Sequence, residues 1–150
     1  MDDMIFYFTH RMFHHPKIYK YMHKQHHENR LTYGIASEYA HPFEYIFGNG
    51  LPAAMGAKIL GKSCHLFTYW MWVVVRSVET VDGHSGYDLP WSPFRLMPFS
   101  AGGAYHDFHH AEIVGNYSSF FTIWDTLFCT NEKYYNGKSY KRLVINSQDK

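Results

Sequence analysis

Apolar residues along the chain come in blocks separated by proline, glycine and clustered histidine. Ile5, Phe6, Phe8, Met12 and Phe13 recur at helical spacing and predict a helix over 4–15. Pro16 cannot continue that hydrogen-bond ladder but suits the first position of a new helix. A bend is therefore expected between His15 and Lys17, followed by a second helix to about Arg30. Pro42 restricts His41 to extended geometry. Residues 43–61 are largely apolar, but Glu44, Asn49 and Lys58 interrupt them, and Gly48, Gly50 and Pro52 are expected to break a straight helix. A denser run follows from Cys64 to Val81, whose length as a helix is about 27 Å, close to the roughly 30 Å of a bilayer's hydrocarbon core. Arg76 and Glu79 near its end suit a membrane interface or a protein interior. The two apolar segments predict either a hairpin that enters a bilayer and returns, or a buried helix pair. Glycines and prolines then mark 83–103 as a functional loop. Residues 104–113 return to helix, and Asn116-Tyr117-Ser118-Ser119 offers caps for a last helix through Phe128. Beyond Thr130 the chain is polar.

Composition narrows the chemistry. At 150 residues the chain suits one domain. A net charge of +1 with scattered lysines and arginines gives no field for nucleic acid. Aromatic and hydrophobic content is high for a soluble domain, yet polar histidine-bearing and tail segments bring the mean hydropathy below zero. Cys64 and Cys129 are too few for a disulfide framework and suit a reducing setting. The start, Met1-Asp2-Asp3, lacks a signal peptide's basic and apolar regions.

The twelve histidines carry the chemistry. His10 and His14 form HxxxH, whereas His23, His26 and His27, and again His106, His109 and His110, form HxxHH. Positions three and four apart share a helix face, so each box can aim its imidazoles at one point. Eight imidazoles exceed what one ion uses, so a two-metal site is expected, and imidazole suits iron, copper, zinc and nickel. The bland alternatives are polar helix faces or closed structural zinc sites. His15, His41 and His65 fall outside the pattern and are expected to be structural. Trp70, Trp72, Trp91 and Trp124 read as core or membrane-interface aromatics, and Gly102-Gly103 as a close backbone approach.

The three boxes in this order, with HKQHHE in the second, HSGYDLPWSP before HDFHH, and NYSSFFTIWDTLF after it, resemble the fatty acid hydroxylase and sterol desaturase superfamily. The stretch 84–128 is most similar to its sterol 4-methyl oxidase (methylsterol monooxygenase) branch. The resemblance implies an all-α integral membrane protein whose histidine-rich cytosolic cap holds a di-metal site. It makes residues 1–130 a di-iron domain whose usual N-terminal membrane helices are missing, with 131–150 a polar tail. It also implies that His84 is a further metal ligand, that Asp88, Asp107 and Asp125 are candidate outer acceptors for imidazole N–H groups, and that Trp91 packs beside a lipid entrance.

The cofactors implied are two iron ions, which zinc can replace in a resting state, with dioxygen and with electrons from NAD(P)H through a reductase and a b-type cytochrome. The implied reaction is oxidation of a lipid C–H bond at the endoplasmic reticulum membrane, with a sterol 4-methyl group as the favoured target. A fatty acyl, alkane or sphingoid-base hydroxylase or desaturase is the alternative of the same class, and a truncated, non-catalytic metal-binding membrane protein that of another. The branch usually has glycine where this chain has Cys129, a position where cysteine resists the backbone turn.

Overall fold

A computed structural model describes residues 1–137. Eight α-helices carry the described chain: α1 (Asp2–Phe13), α2 (Pro16–Met22), α3 (Pro42–Glu44), α4 (Leu51–Leu60), α5 (Leu66–Gly83), α6 (Gly102–Glu112), α7 (Ile123–Leu127) and α8 (Glu132–Asn136). No strand occurs among the described residues; one isolated antiparallel bridge joins Ser100 to Phe121. The all-helical expectation therefore holds.

Local chemistry explains where the helices start. In α1, Asp2 and Asp3 occupy the first turn and Arg11 the last, each charge complementing the helix dipole. The bend at Pro16 is present. His15, His41 and His65 precede α2, α3 and α5 in extended geometry, and the Nδ1 of each accepts a backbone N–H two residues on. The three histidines outside the boxes are thus helix N-caps, a role more familiar from serine or aspartate.

Several boundaries differ from expectation. The second helix stops at Met22, and the chain passes through a turn into a 3-10 segment, His26–Glu28. The glycines and proline of 48–52 do not break the chain's course. They widen it into a π-helical turn, Tyr45–Gly50, which joins α3 to α4 and tolerates a residue without an N–H. At Gly48 a Cβ would come within 3.0 Å of the Phe13 ring of α1, so a side chain there would press on that ring. Asn116–Ser119 caps no helix; it forms a loop, and the last expected helix shortens to α7. The structure also continues past Thr130 into α8, whose Tyr134 packs on Tyr105 and Phe108 of α6. The remainder of the polar tail expected at 131–150, residues 138–150, lies outside the described residues.

Burial is distributed unusually. The buried side chains are largely polar, headed by histidines, whereas Leu66, Phe67, Trp70, Val74 and Val78 of α5 and Phe43, Ile46, Phe47 and Ile59 before it are exposed. The expectation of a transmembrane helix is corrected at this level: no described helix is long and apolar enough to cross a membrane. Within α5, Arg76, Glu79 and Asp82 shorten the apolar run. Gly103 sits where a side chain would collide with the Tyr87 carbonyl, in agreement with the close approach expected for Gly102-Gly103.

Cys129 adopts φ +54°, in the left-handed region that disfavours a Cβ. Cys129→Gly is therefore expected to raise stability by about 0.5–1 kcal/mol, the steric relief exceeding glycine's added chain entropy. Thermal unfolding in detergent measures this; an unchanged or lower midpoint would contradict it.

Candidate metal centre

All nine predicted histidines converge. His10, His14, His23, His27 and His109 bring one ring nitrogen each to a common point, with those atoms within 4.8 Å of one another, and His26, His84, His106 and His110 do the same beside them. The groups adjoin, with the His27 and His110 rings 4.5 Å apart between centroids. His84, the histidine outside the three boxes, joins the second group through Nε2 contacts of 2.8 Å to His106 and 3.3 Å to His26.

The grouping differs from one point per box. His23 and His27 go to the first group and His26 to the second; His106 and His110 go to the second and His109 to the first. Helical geometry explains this split in α6. At about 100° per residue, positions i and i+4 lie some 40° apart, whereas i+3 turns about 60° the other way. Each HxxHH therefore serves two points, and the adjacent doublets His26-His27 and His109-His110 straddle them. The turn after α2 reaches the same division without a continuous helix.

The outward-facing nitrogens determine the electrostatics. Nδ1 of His10 donates to the Tyr117 carbonyl at 2.8 Å, His84 to Thr80 at 2.8 Å, His109 to Gly115 at 2.6 Å and His110 to Asn29 at 3.2 Å. A carbonyl only accepts, so each of these rings carries its proton on Nδ1 and leaves a lone pair on Nε2. His23 Nδ1 lies 2.7 Å from Glu44 Oε1. Its Nε2 meets three other ring nitrogens at once, Nε2 of His14 at 2.8 Å, of His27 at 3.0 Å and of His10 at 3.1 Å. One N–H can serve only one of those contacts, so lone pairs are left facing one another and repel unless a cation lies between them.

Protonation does not supply that cation. Burial penalises the imidazolium and lowers His10 and His84 to about 4, His110 to about 3 and His14 to about 2. The same cause, reinforced by neighbouring imidazoles, moves His23, His26, His27, His106 and His109 downward. A buried cluster of neutral nitrogen donors with converging lone pairs fits a pair of borderline-soft divalent ions.

These observations accord with the family comparison. The fatty acid hydroxylase family model matches residues 1–130. The chain belongs to this family. It is 46% identical over 136 residues to methylsterol monooxygenase 1 of Rattus norvegicus, covering 90% of this chain and 45% of the relative. The Danio rerio protein of the same name is 47% identical over 135 residues, covering 89% and 45%. A rice (Oryza sativa subsp. japonica) protein named very-long-chain aldehyde decarbonylase GL1-11 is 44% identical over 142 residues, covering 93% and 52%. The chain spans about half the length of the curated relatives it matches. No solved structure matches.

The other predicted site residues of this fatty acid hydroxylase domain lie farther out. Asp125 is fully buried and accepts from the Tyr117 and Ser118 amides, both at 2.8 Å, and from Thr130. It touches no imidazole, but it fixes the loop whose Tyr117 carbonyl orients His10. Asp107 accepts from Thr32 Oγ1 at 2.9 Å and tethers α6 to the segment after the second box. Asp88 pairs with Arg95 at the surface, away from the histidines. Trp91 is 74% exposed and is not among the residues lining the cavity beside the clusters. Loop flexibility in sequence space left both positions undetermined by spacing.

Glu44 was missed as a site residue. Its signal was present, since a lone carboxylate interrupting an apolar segment is costly and commonly functional. It orients His23 through the 2.7 Å contact, and burial pushes its carboxyl up to about 9 in the metal-free chain. Glu44→Gln keeps a hydrogen-bonding shape but removes the group that can take a proton from a metal-bound His23, and is expected to weaken divalent-metal binding by about 10–100-fold. Chelator competition measures this; unchanged affinity would show that the contact has no role in metal retention.

The neutral cluster also predicts how the metal-free chain responds to acid. Unfolded histidines take up protons near 6.5, whereas buried His10 and His84 stay neutral until about 4. The unfolded state then binds more protons below 6.5, so stability falls as pH decreases from about 6.5 towards 4. Thermal unfolding of the chelated chain between pH 7.5 and 5 should show a falling midpoint, and a flat profile would contradict the shifts.

Proposed function

We propose that the chain is the metal-binding part of a membrane di-iron oxygenase that oxidises a lipid C–H bond, with a sterol 4-methyl group as the favoured target. The observation that carries this reading is the crowding of neutral Nε2 atoms, more than their own N–H groups can satisfy, within two adjoining imidazole groups. His10, His14, His23, His27 and His109 would hold one iron, and His26, His84, His106 and His110 the other. Iron bound there supplies dioxygen activation and oxidation of a C–H bond that has no acidic proton. For each hydroxylation the overall balance is one C–H and one dioxygen, with two electrons and two protons, to one alcohol and one water.

The protein's own contributions are positioning and exclusion. Backbone carbonyls of Asn29, Thr80, Gly115 and Tyr117 set ring orientation, and Glu44 sets His23. Neutral ligands add no negative charge to the ions, which favours the reduced ferrous pair. A cavity of about 40 Å³ lies against His10, His23, His26, His84 and His106. That is room for dioxygen and a water or two, so bulk solvent is kept from the oxidant.

The exposed apolar residues of α4, α5 and the π-helical turn support contact with a bilayer, since patches of this size on a monomer mark membrane or partner surfaces. We assign the histidine clusters to the cytosolic side of the endoplasmic reticulum membrane, where NAD(P)H would supply electrons through a reductase and a b-type cytochrome. The names of the animal relatives support a methylsterol substrate. The rice relative's name gives specific support to a second reading, action on a long-chain aliphatic lipid.

Anaerobic titration of the chain in detergent should take up about two ferrous ions per chain. His26→Ala with His109→Ala removes one imidazole from each group and should lower uptake at both. Binding undiminished by this change would refute the shared centre. Fused to the upstream membrane helices of a relative, the chain should restore growth to cells lacking sterol 4-methyl oxidase. Turnover of a long-chain aldehyde or acyl lipid without rescue would favour the second reading.

A further inference from the structure

Each hydroxylation of the kind proposed above consumes two protons, and the imidazoles are poor donors of them. A neutral ring releases its remaining proton only in strong base. In His10, His84, His109 and His110 that proton is moreover held on the outward Nδ1 by a backbone carbonyl. Another side chain must supply the small histidine-lined cavity. Two carboxylates line it, Glu44 and Glu79. Glu44 is committed to His23. Glu79 is not; its Oε2 pairs with Arg76 one turn earlier on α5, which leaves Oε1 to carry a proton.

Glu79 also has access to the outside. It is only 7% exposed, yet it is the one described residue that lines both the small cavity and a second one, of about 370 Å³. The second cavity reaches the surface at the half-exposed Met97 and Ile123. Its walls are largely apolar, but Asp2, Asp3 and Arg76 join Glu79 there. Asp2 Oδ1 and Asp3 Oδ2 are buried without a hydrogen-bond partner, so a water that enters finds the acceptors it needs to stay. Arg76 ties this polar group together, with Nε 3.1 Å from Asp2, one terminal nitrogen on Glu79 and the other 3.1 Å from Ser119 Oγ. Ser119 lines the histidine cavity, and having accepted from Arg76 it keeps its own O–H free to donate.

We propose that Glu79 is the proton gate of the histidine cavity, taking protons from water in the outer cavity and giving them to oxygen being reduced in the inner one. At each transfer the O–H bond of the Glu79 carboxyl breaks as a new O–H bond forms on the oxygen that leaves as water. The carboxylate left behind is held by Arg76 until Oε1 takes the next proton from the outer cavity. Two such transfers match the two protons of the overall balance. Glu79 moves protons alone; the electrons are those of the NAD(P)H supply assigned above, and in this the inference rests on the oxygenase reading.

The surroundings suit a group that alternates between charged and neutral. Burial pushes the Glu79 carboxyl up, Arg76 opposes this, and Asp3 and Asp2 of α1 with Asp82 of α5 push it up again, to about 7. Across the inner cavity the imidazoles are neutral, and in the metal-free chain Glu44 is pushed up to about 9. Only the protonated carboxyl can donate, so donation is available below about pH 7 and is lost as pH rises through it.

The test uses the full chain loaded anaerobically with ferrous iron in detergent. Infrared difference spectra should show a protonated-carboxyl band that fades with a midpoint near pH 7 and is missing from Glu79→Gln. Glu79→Gln and Glu79→Asp should each still take up about two ferrous ions per chain, because Glu79 is not among the clustered ligands. Uptake lost in both variants would overturn the proposal in favour of a structural ion pair with Arg76. In the chain fused to upstream membrane helices, Glu79→Gln should lower kcat about 100-fold at unchanged KM, the size of a lost general acid. Glu79→Asp should restore part of that loss, and the decline of kcat above pH 7 should vanish in Glu79→Gln. A band that does not titrate near pH 7, or a kcat for Glu79→Gln within about twofold of the unmodified chain, would overturn the proposal. Failure of the oxygenase reading looks different: the unmodified fused chain then consumes neither lipid nor dioxygen while the Glu79 band still titrates.

Discussion

Nine clustered imidazoles, eight of them buried, cannot be satisfied by hydrogen bonds to one another, and the rest of the structure depends on that constraint. Once Nδ1 is committed to a backbone carbonyl, the opposite nitrogen has only a lone pair to offer. Several lone pairs then meet in a space from which water and protons are largely excluded. In most proteins the interior is held by apolar contact, but here the described apolar core is small, led by Tyr7, Phe13, Tyr105, Phe108 and Tyr134. Ions in the two imidazole groups would cross-link α1, the turn after α2, the end of α5 and α6. Metal binding is thereby coupled to the integrity of the fold.

The apparatus that aims the rings is largely backbone. Asn29, Thr80, Gly115 and Tyr117 act through carbonyls, and side chains act one step back, as when Asp125 holds the amides of Tyr117 and Ser118. This division separates two kinds of substitution. Replacement of Asn29 or Tyr117 alters a side chain but leaves its carbonyl in place, whereas a change at Asp125 loosens the loop that carries one. Glu44 is the exception, a side chain in direct contact with a ring, and it sits where α3 opens into the π-helical turn. That turn brings Gly48 against Phe13 and so closes the histidine cavity on the α1 side.

Polar groups inside and apolar groups outside are consistent with one another in this molecule. The α5 helix has both, with Trp70, Val74 and Val78 on its exposed side and Glu79 directed inward. A bilayer in contact with the first set would leave the second facing the cavities. Two of the charged residues that shorten the apolar run of α5, Arg76 and Glu79, line an apolar cavity, and Glu79 also lines the one beside the histidines.

The sequence by itself determined the helical class, the bend at Pro16, the nine histidines and the family, because HxxxH and HxxHH are local spacings and local spacing fixes which side chains share a helix face. It also singled out His15, His41 and His65 as outside the pattern, although not their shared work as N-caps. The division of the histidines into two groups was decided by tertiary structure, since it depends on how α6 is rotated against the turn after α2. The partners Glu44, Tyr117 and Thr80 were likewise beyond local reading, being brought to their rings across long stretches of chain. Asp88 and Trp91 lie close in sequence to His84 yet away from the clusters, because the chain leaves α5 at Gly83 and loop residues follow no fixed period. Spacing gives the chemistry of a segment; only packing decides which segments it meets.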